Sequence, residues 1–250
     1  MNKLPILISI PHGGNRVPEE VQGIIGLSAS SLFDDSDAFT REIYNCKESV
    51  VEVISTDIYR AIVDVNRSPD DLPPHNPDGV VKTKTCFGIS VYKNESKLDT
   101  DLKDCLLSRY YYPYHDRIKH TIENKDIQIA FDCHTMATVG PEISPDAGRE
   151  RPDICLSNAN GQSCDFRIVE KFVDCLSRIF STNNIEINKP FSGGYITRNY
   201  GMKPVPWIQI EMNRSMYLSP PWFDRDLLSI DTTRLKKLNK KIREVFNMFL

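Results

Sequence analysis

Ile127-Gln-Ile-Ala-Phe-Asp132-Cys-His134-Thr135 is an apolar run that stops abruptly at ionisable side chains. Two other stretches share its plan. Ile6-Leu-Ile-Ser-Ile-Pro-His12-Gly-Gly14 ends on an imidazole, and Pro206-Trp-Ile-Gln-Ile-Glu211-Met-Asn213 delivers a carboxylate. Short buried strands that end this way are how open α/β sheets build sites, because the carboxyl ends of the strands form one shared rim. Two neutral imidazoles and acidic groups converging there suit a divalent metal and a base working beside it. The pattern predicts metal-assisted hydrolysis.

Size and composition leave room for this reading. A chain of 250 residues, 40% hydrophobic and 26% charged, can bury a sizeable core, and we expect one domain over 1–250. A net charge of -3 provides no basic footprint for nucleic acid. The Lys/Arg cluster at 234–243 alternates with Leu235, Leu238 and Ile242 at helical spacing, as on the solvated face of an amphipathic helix. Seven scattered cysteines form no C-x-x-C pair, so neither a zinc ribbon nor a disulfide framework is indicated. With no signal-peptide plan ahead of the first apolar run and no long membrane span, a reducing cytoplasm is the expected compartment.

Short apolar runs alternate with helical patterns, which argues for an α/β fold with a largely parallel sheet. The expected strands are 5–10, 50–54, 60–65, 127–132, 153–157 and 206–212; the expected helices are 37–47, 99–124, 164–181 and 232–248. Phe166, Val169, Phe172, Val173, Leu176 and Phe180 mark the clearest helix. Pro113 should kink or break the helix that contains it. The irregular stretches 68–88 and 136–151 are too long to be idle connections and suit active-site loops.

Each chemical candidate competes with a plainer role. Pro11 and Gly13-Gly14 make the chain turn sharply at His12 and let a ligand approach the backbone; otherwise His12 is a polar cap on a strand. Asp34-Asp35-Ser36-Asp37 precedes a helical pattern, where Asp and Ser are preferred caps. One cap does not need three carboxylates, so a metal ligand is expected among them. In Asp64-Val-Asn66-Arg67 the guanidinium suits bidentate capture of a carboxylate and the amide can add a hydrogen bond, unless the Arg pairs with Asp64 or Asp70. Asp132 is spaced to orient His134 or a neighbouring ligand. His115 is a proton shuttle or a packed, hydrogen-bonded histidine, the second being favoured. Arg198 lies between glycine-marked turns in Gly193-Gly-Tyr-Ile-Thr-Arg198-Asn-Tyr-Gly201, a setting for an anion. Glu211 is a salt-bridge partner or, beside a metal, the natural general base. No G-x-S-x-G, P-loop or G-x-G-x-x-G occurs, which counts against serine hydrolase, NTPase and dinucleotide chemistry.

In order, Ser9-Ile-Pro-His12-Gly-Gly, Asp35-Ser-Asp37, Asp64-Val-Asn66-Arg67, Pro113-Tyr-His115, Asp132-Cys-His134-Thr, the 193–201 motif and Gln209-Ile-Glu211 resemble the N-formylglutamate amidohydrolase family, over residues 6–217. That family is similar to the zinc carboxypeptidases and aspartoacylases. The resemblance implies a three-layer α/β/α sandwich with a mixed, largely parallel sheet. It implies His12 and His134 as metal ligands, with Asp37 as the third ligand and Asp35 as second choice, since position 15 is Asn rather than the Glu of carboxypeptidases. It also implies Asn66 and Arg67 as holders of a substrate carboxylate, Glu211 as the catalytic base, and Arg198 as a contact to substrate or oxyanion. Asp132 and His115 would support this group.

The activity so implied is hydrolysis of an N-acyl amino acid, N-formyl-L-glutamate first, by one Zn²⁺ per chain; iron, cobalt or manganese also suit two histidines and a carboxylate. A second carboxylate on the substrate calls for another cation, Arg198, Arg149 or Arg151. Two other readings compete: a metallopeptidase or peptidoglycan-type amidase on the same centre, which needs a longer groove, and a carboxylate-binding protein without turnover, against which both histidines and Glu211 speak.

Overall fold

The computed structural model describes residues 3–142 and 144–250. Strands β1 (Leu4–Ile10), β2 (Val50–Ser55), β3 (Ile129–Met136), β4 (Ile154–Ser157), β5 (Ile185–Ile187) and β6 (Trp207–Asn213) form one sheet in the order β2-β1-β3-β6-β4-β5. β1, β2, β3 and β6 run parallel, while β4 is antiparallel to β6 and parallel to β5. The sheet is thus mixed but largely parallel, with helices on both faces.

Side-chain alternation decides what each face does. Ile6, Ile8 and Ile10 of β1, Phe131 and Cys133 of β3, and Ile208 and Ile210 of β6 enter one apolar cluster. Helices α2 (Thr40–Ile43), α5 (Phe166–Phe180) and α7 (Thr232–Phe249) cover that face; Phe131 lies 4.7 Å from Phe172 and 4.9 Å from Phe246 between ring centroids. On the other face Leu7, Ala130 and Trp207 pack against α3 (Thr100–Leu106), α4 (Tyr112–Asn124) and α6 (Tyr195–Tyr200). Further along the same strands this second face turns polar, with Ser9, Asp132, His134, Gln209 and Glu211 all buried. In the β3–β6 register His134 stands opposite Glu211. Parallel neighbours in register point the same way, so the imidazole and the carboxylate share one side of the sheet.

Several expectations are corrected. Residues 60–65 are not a strand: Val63 makes one isolated bridge to Val81, and Ile62 and Val63 hydrogen-bond back to Tyr59 as a turn. The run is apolar because it is buried against the second core, which needs no strand pairing. The helix expected at 37–47 shrinks to α2, and α1 (Ala29–Asp35), capped by the Ser28 side chain, precedes it. The helix expected at 99–124 is interrupted beside Pro113, as expected: a π turn at Leu107–Tyr111 separates α3 from α4, and Pro113 follows it in the first turn of α4. The short β5 and α6 have no strong periodicity and were not expected.

Truncating Phe131 to Ala empties the centre of the α5/α7 layer. Urea unfolding of Phe131→Ala should show a loss of about 3–5 kcal/mol.

Candidate active site

His12 follows β1 directly, and its carbonyl accepts a hydrogen bond from Asp37 N at 3.1 Å, which ties the two segments together. Gly13 and Gly14 serve this corner by admitting neighbouring chain rather than a ligand. A Cβ on Gly13 would lie 2.6 Å from Thr40 Oγ1, and one on Gly14 would lie 2.2 Å from the Ile58 carbonyl oxygen. The ring of His12 meets that of His134 edge to face, with Nδ1 of one 3.1 Å from Nδ1 of the other. Asp37 Oδ2 completes a triangle, 3.1 Å from His134 Nδ1 and 3.5 Å from His12 Nδ1.

Each member of the triangle is held from behind. His12 Nε2 donates to Asp64 Oδ1 at 2.7 Å, and His134 Nε2 lies 3.2 Å from Asp132 Oδ2. With protons on Nε2, both rings would turn Nδ1 lone pairs toward the same point. Asp37 is oriented by Arg214, whose Nη2 donates to Oδ1 at 3.0 Å and to the Ser36 carbonyl at 2.6 Å. Burial opposes ionisation of Asp37, yet its hydrogen bonds with His12 and His134 hold the carboxyl well below the usual range. Burial likewise works against Asp64, and the charges of His12 and Arg60 more than offset it.

This donor set fits a small divalent cation. Ligand atoms about 2.0–2.1 Å from a tetrahedral centre stand about 3.3 Å apart, which the three measured separations bracket. Two imidazole lone pairs facing each other at 3.1 Å repel unless a proton or a cation lies between them. Burial disfavours charge on His134, but Asp132, Asp37 and Glu211 raise its pKa well above 6.5, so positive charge is favoured here.

Glu211 stands beside this group on β6. Gln209 Nε2 donates to Glu211 Oε1 at 2.9 Å, and Gln209 Oε1 accepts from Gly194 N at 2.6 Å, fixing the carboxylate to the 193–194 turn. Burial raises the Glu211 pKa to about 7. All four groups open onto a cavity of about 700 Å³, whose walls include both irregular stretches through residues such as Phe87, Met136 and Asp146.

The remaining expected residues are placed differently from one another. Asp35 turns away from the histidines, accepting from Cys86 N at 2.8 Å and from Lys82 Nζ at 3.2 Å. Asn66 also lines the cavity: Nδ2 lies 3.4 Å from Asp132 Oδ2 and 3.1 Å from His134 Nε2, while Oδ1 accepts from Ile196 N at 2.8 Å. It braces His134 against α6. Arg67 lines the cavity and is partly exposed, with Nη2 on Asp78 Oδ2 at 3.0 Å. Arg198 also lines the cavity but is exposed, bonded to Ser192 Oγ at 2.7 Å and the Gly193 carbonyl at 2.8 Å. Among the described residues it makes no hydrogen bond to the histidines, Asp37 or Glu211, so it stands at the mouth. Arg151 is bidentate to Asp146 at 2.7 and 2.9 Å, and Arg149 is not part of the wall.

His115 lies outside the cavity wall. Its Nε2 donates to the Val65 carbonyl at 2.9 Å and its Nδ1 lies 2.8 Å from Tyr200 Oη, contacts that a neutral ring satisfies and that fix the segment carrying Asn66 and Arg67. Sequence reasoning missed Arg60, Arg214 and Lys82, and missed that Asp64 serves His12. Arg214 alone carried a local signal, since it follows Glu211 by three residues, just past the end of β6.

The fold and the buried His/Asp/Glu group thus define an α/β protein whose parallel strands end at a metal-competent centre. The family model for N-formylglutamate amidohydrolase matches residues 4–218, and the chain belongs to that family. N-formylglutamate deformylase of Pseudomonas putida is 26% identical to it over 248 residues, covering 94% of this chain and 91% of that protein. The enzyme of the same name from Pseudomonas aeruginosa is 25% identical over 225 residues, covering 86% and 83%. The crystal structure of N-formylglutamate amidohydrolase from Ralstonia eutropha JMP134 shares the fold at a TM-score of 0.78 and 18% identity, covering 99% of this chain and 94% of that one.

Burial lowers the His115 pKa from 6.5 to about 4. Between these values the unfolded chain binds a proton that the folded one does not. Stability should therefore fall by roughly 3 kcal/mol as pH drops from 6.5 towards 4, and level off below. Denaturant midpoints measured against pH should show this slope, and His115→Gln should flatten it.

Proposed function

We propose that the protein hydrolyses the formyl amide of N-formyl-L-glutamate to formate and L-glutamate, with one Zn²⁺ held by His12, Asp37 and His134. The observation that carries this reading is the convergence of two Nδ1 atoms and Asp37 Oδ2 beside Glu211, in a chain of this family. The bound ion would lower the pKa of a water toward neutrality and polarise the amide carbonyl.

The protein's own groups supply the rest. Asp64 keeps His12 in the tautomer that leaves Nδ1 open, Asp132 stands 3.2 Å from His134 Nε2, and Arg214 keeps Asp37 Oδ2 turned inward. Glu211 takes a proton from the attacking water and returns it to the leaving α-amine as the C–N bond breaks. Its pKa near 7, set by burial, suits a group that must act as base and then acid. Arg60 lines the cavity with Nη2 on Asp64 Oδ2 at 3.0 Å and Nη1 3.9 Å from Asp37 Oδ1. It is the guanidinium nearest the buried group that remains available to the developing oxyanion. The substrate α-carboxylate docks on Arg67, and Arg198 at the mouth receives the side-chain carboxylate. Residues 1–250 act as one catalytic domain. Among the described residues no helix is long and apolar enough to cross a membrane, and the seven cysteines are free thiols, as a reducing cytoplasm would keep them.

Formate and glutamate release from N-formyl-L-glutamate tests this directly. Chelation should abolish turnover and zinc should restore it, with about one ion per chain by metal analysis. His134→Ala should lose both ion and activity; full activity in that variant would refute the ligand set. Glu211→Gln should retain the ion while kcat falls by about 10²–10⁴.

A further inference from the structure

Eight carboxylates and five arginines line the cavity that is to receive an anionic substrate. The imbalance is met from behind the wall. Lys82 is fully buried, and its ammonium lies 2.7 Å from Asp78 Oδ1, 3.2 Å from Asp35 Oδ2 and 3.8 Å from Asp64 Oδ2. The other oxygen of Asp78 accepts from Arg67 Nη2 at 3.0 Å. A chain of charge therefore runs Lys82–Asp78–Arg67 and ends at the cavity. Burying an ammonium is costly unless carboxylates surround it, and here three do.

We infer that Lys82 is a positioning residue for substrate binding: it anchors the Asp78 carboxylate, and Asp78 in turn holds the Arg67 guanidinium toward the substrate carboxylate. This rests on the assignment of Arg67 to the substrate. With Lys82 on its far oxygen, Asp78 is held in place and orients the guanidinium through the other. Lys82 also joins the segments carrying Asp35, Asp64 and Asp78, but neither it nor Asp78 bonds to Glu211 or to either histidine. Its effect is expected in binding and not in the chemical step.

Steady-state kinetics on the zinc-loaded enzyme with N-formyl-L-glutamate test this, using Arg67→Met, Asp78→Asn, Lys82→Met and the Arg67→Met/Asp78→Asn double variant. Asp78→Asn and Lys82→Met should each raise KM about tenfold or more with kcat within about threefold, at unchanged zinc content. Lys82→Met leaves three carboxylates without their cation; should it not fold, Asp78→Asn carries the test. In the double variant the KM effects should not add, because both changes act through one guanidinium; a merely structural role for Asp78 predicts additivity. An unchanged KM in Asp78→Asn while Arg67→Met raises it, or full additivity, overturns the inference and leaves the Arg67 assignment standing. An unchanged KM in Arg67→Met overturns both.

Discussion

Two imidazole nitrogens held 3.1 Å apart, each ring pinned from behind by a buried carboxylate, are the arrangement around which this molecule is organised. Left to themselves the lone pairs would repel. Asp64, Asp132 and Asp37 surround them with negative charge, and burial makes that charge felt at full strength. The consequence is a site that favours a cation at one point and fixes three ligand atoms about it before any ion arrives.

That site is mounted on the sheet in a way that divides labour between its faces. One face of β1, β3 and β6 is apolar up to Thr135 and packs on α5 and α7. The other begins apolar and becomes polar toward the strand ends, where Asp132, His134, Gln209 and Glu211 emerge in register. Strands buried on both sides scarcely move, so the distances between these groups are set by hydrogen-bonded backbone. Arg67, on a loop, and the exposed Arg198, in α6, line the cavity around them.

A second ring of charge connects the centre to those loops. Arg60, Arg67 and Lys82 face Asp35, Asp64 and Asp78, and Asp64 belongs to both the histidine support and this ring. The metal-competent centre and the proposed substrate grip therefore share one carboxylate.

Much of this was legible in the chain. Apolar runs ending in His12, His134 and Glu211 announced parallel strands meeting at one rim, and the helical periodicity of 166–180 and 232–249 marked the layer behind them. The ordered motifs carried the family. Local pattern failed where burial comes from tertiary packing without regular pairing, as at 60–65, and where elements are too short to show a period, as in β5 and α6. Sequence by itself determined which strands carry ionisable ends, because alternation along a strand is a local property. Only the folded chain decided that Asp37 faces the histidines while Asp35 faces Lys82, that Asp64 holds His12 across 52 residues, and that Asn66 stands between His134 and α6. Those choices are set by which charges are brought together in the interior, and no local spacing encodes that.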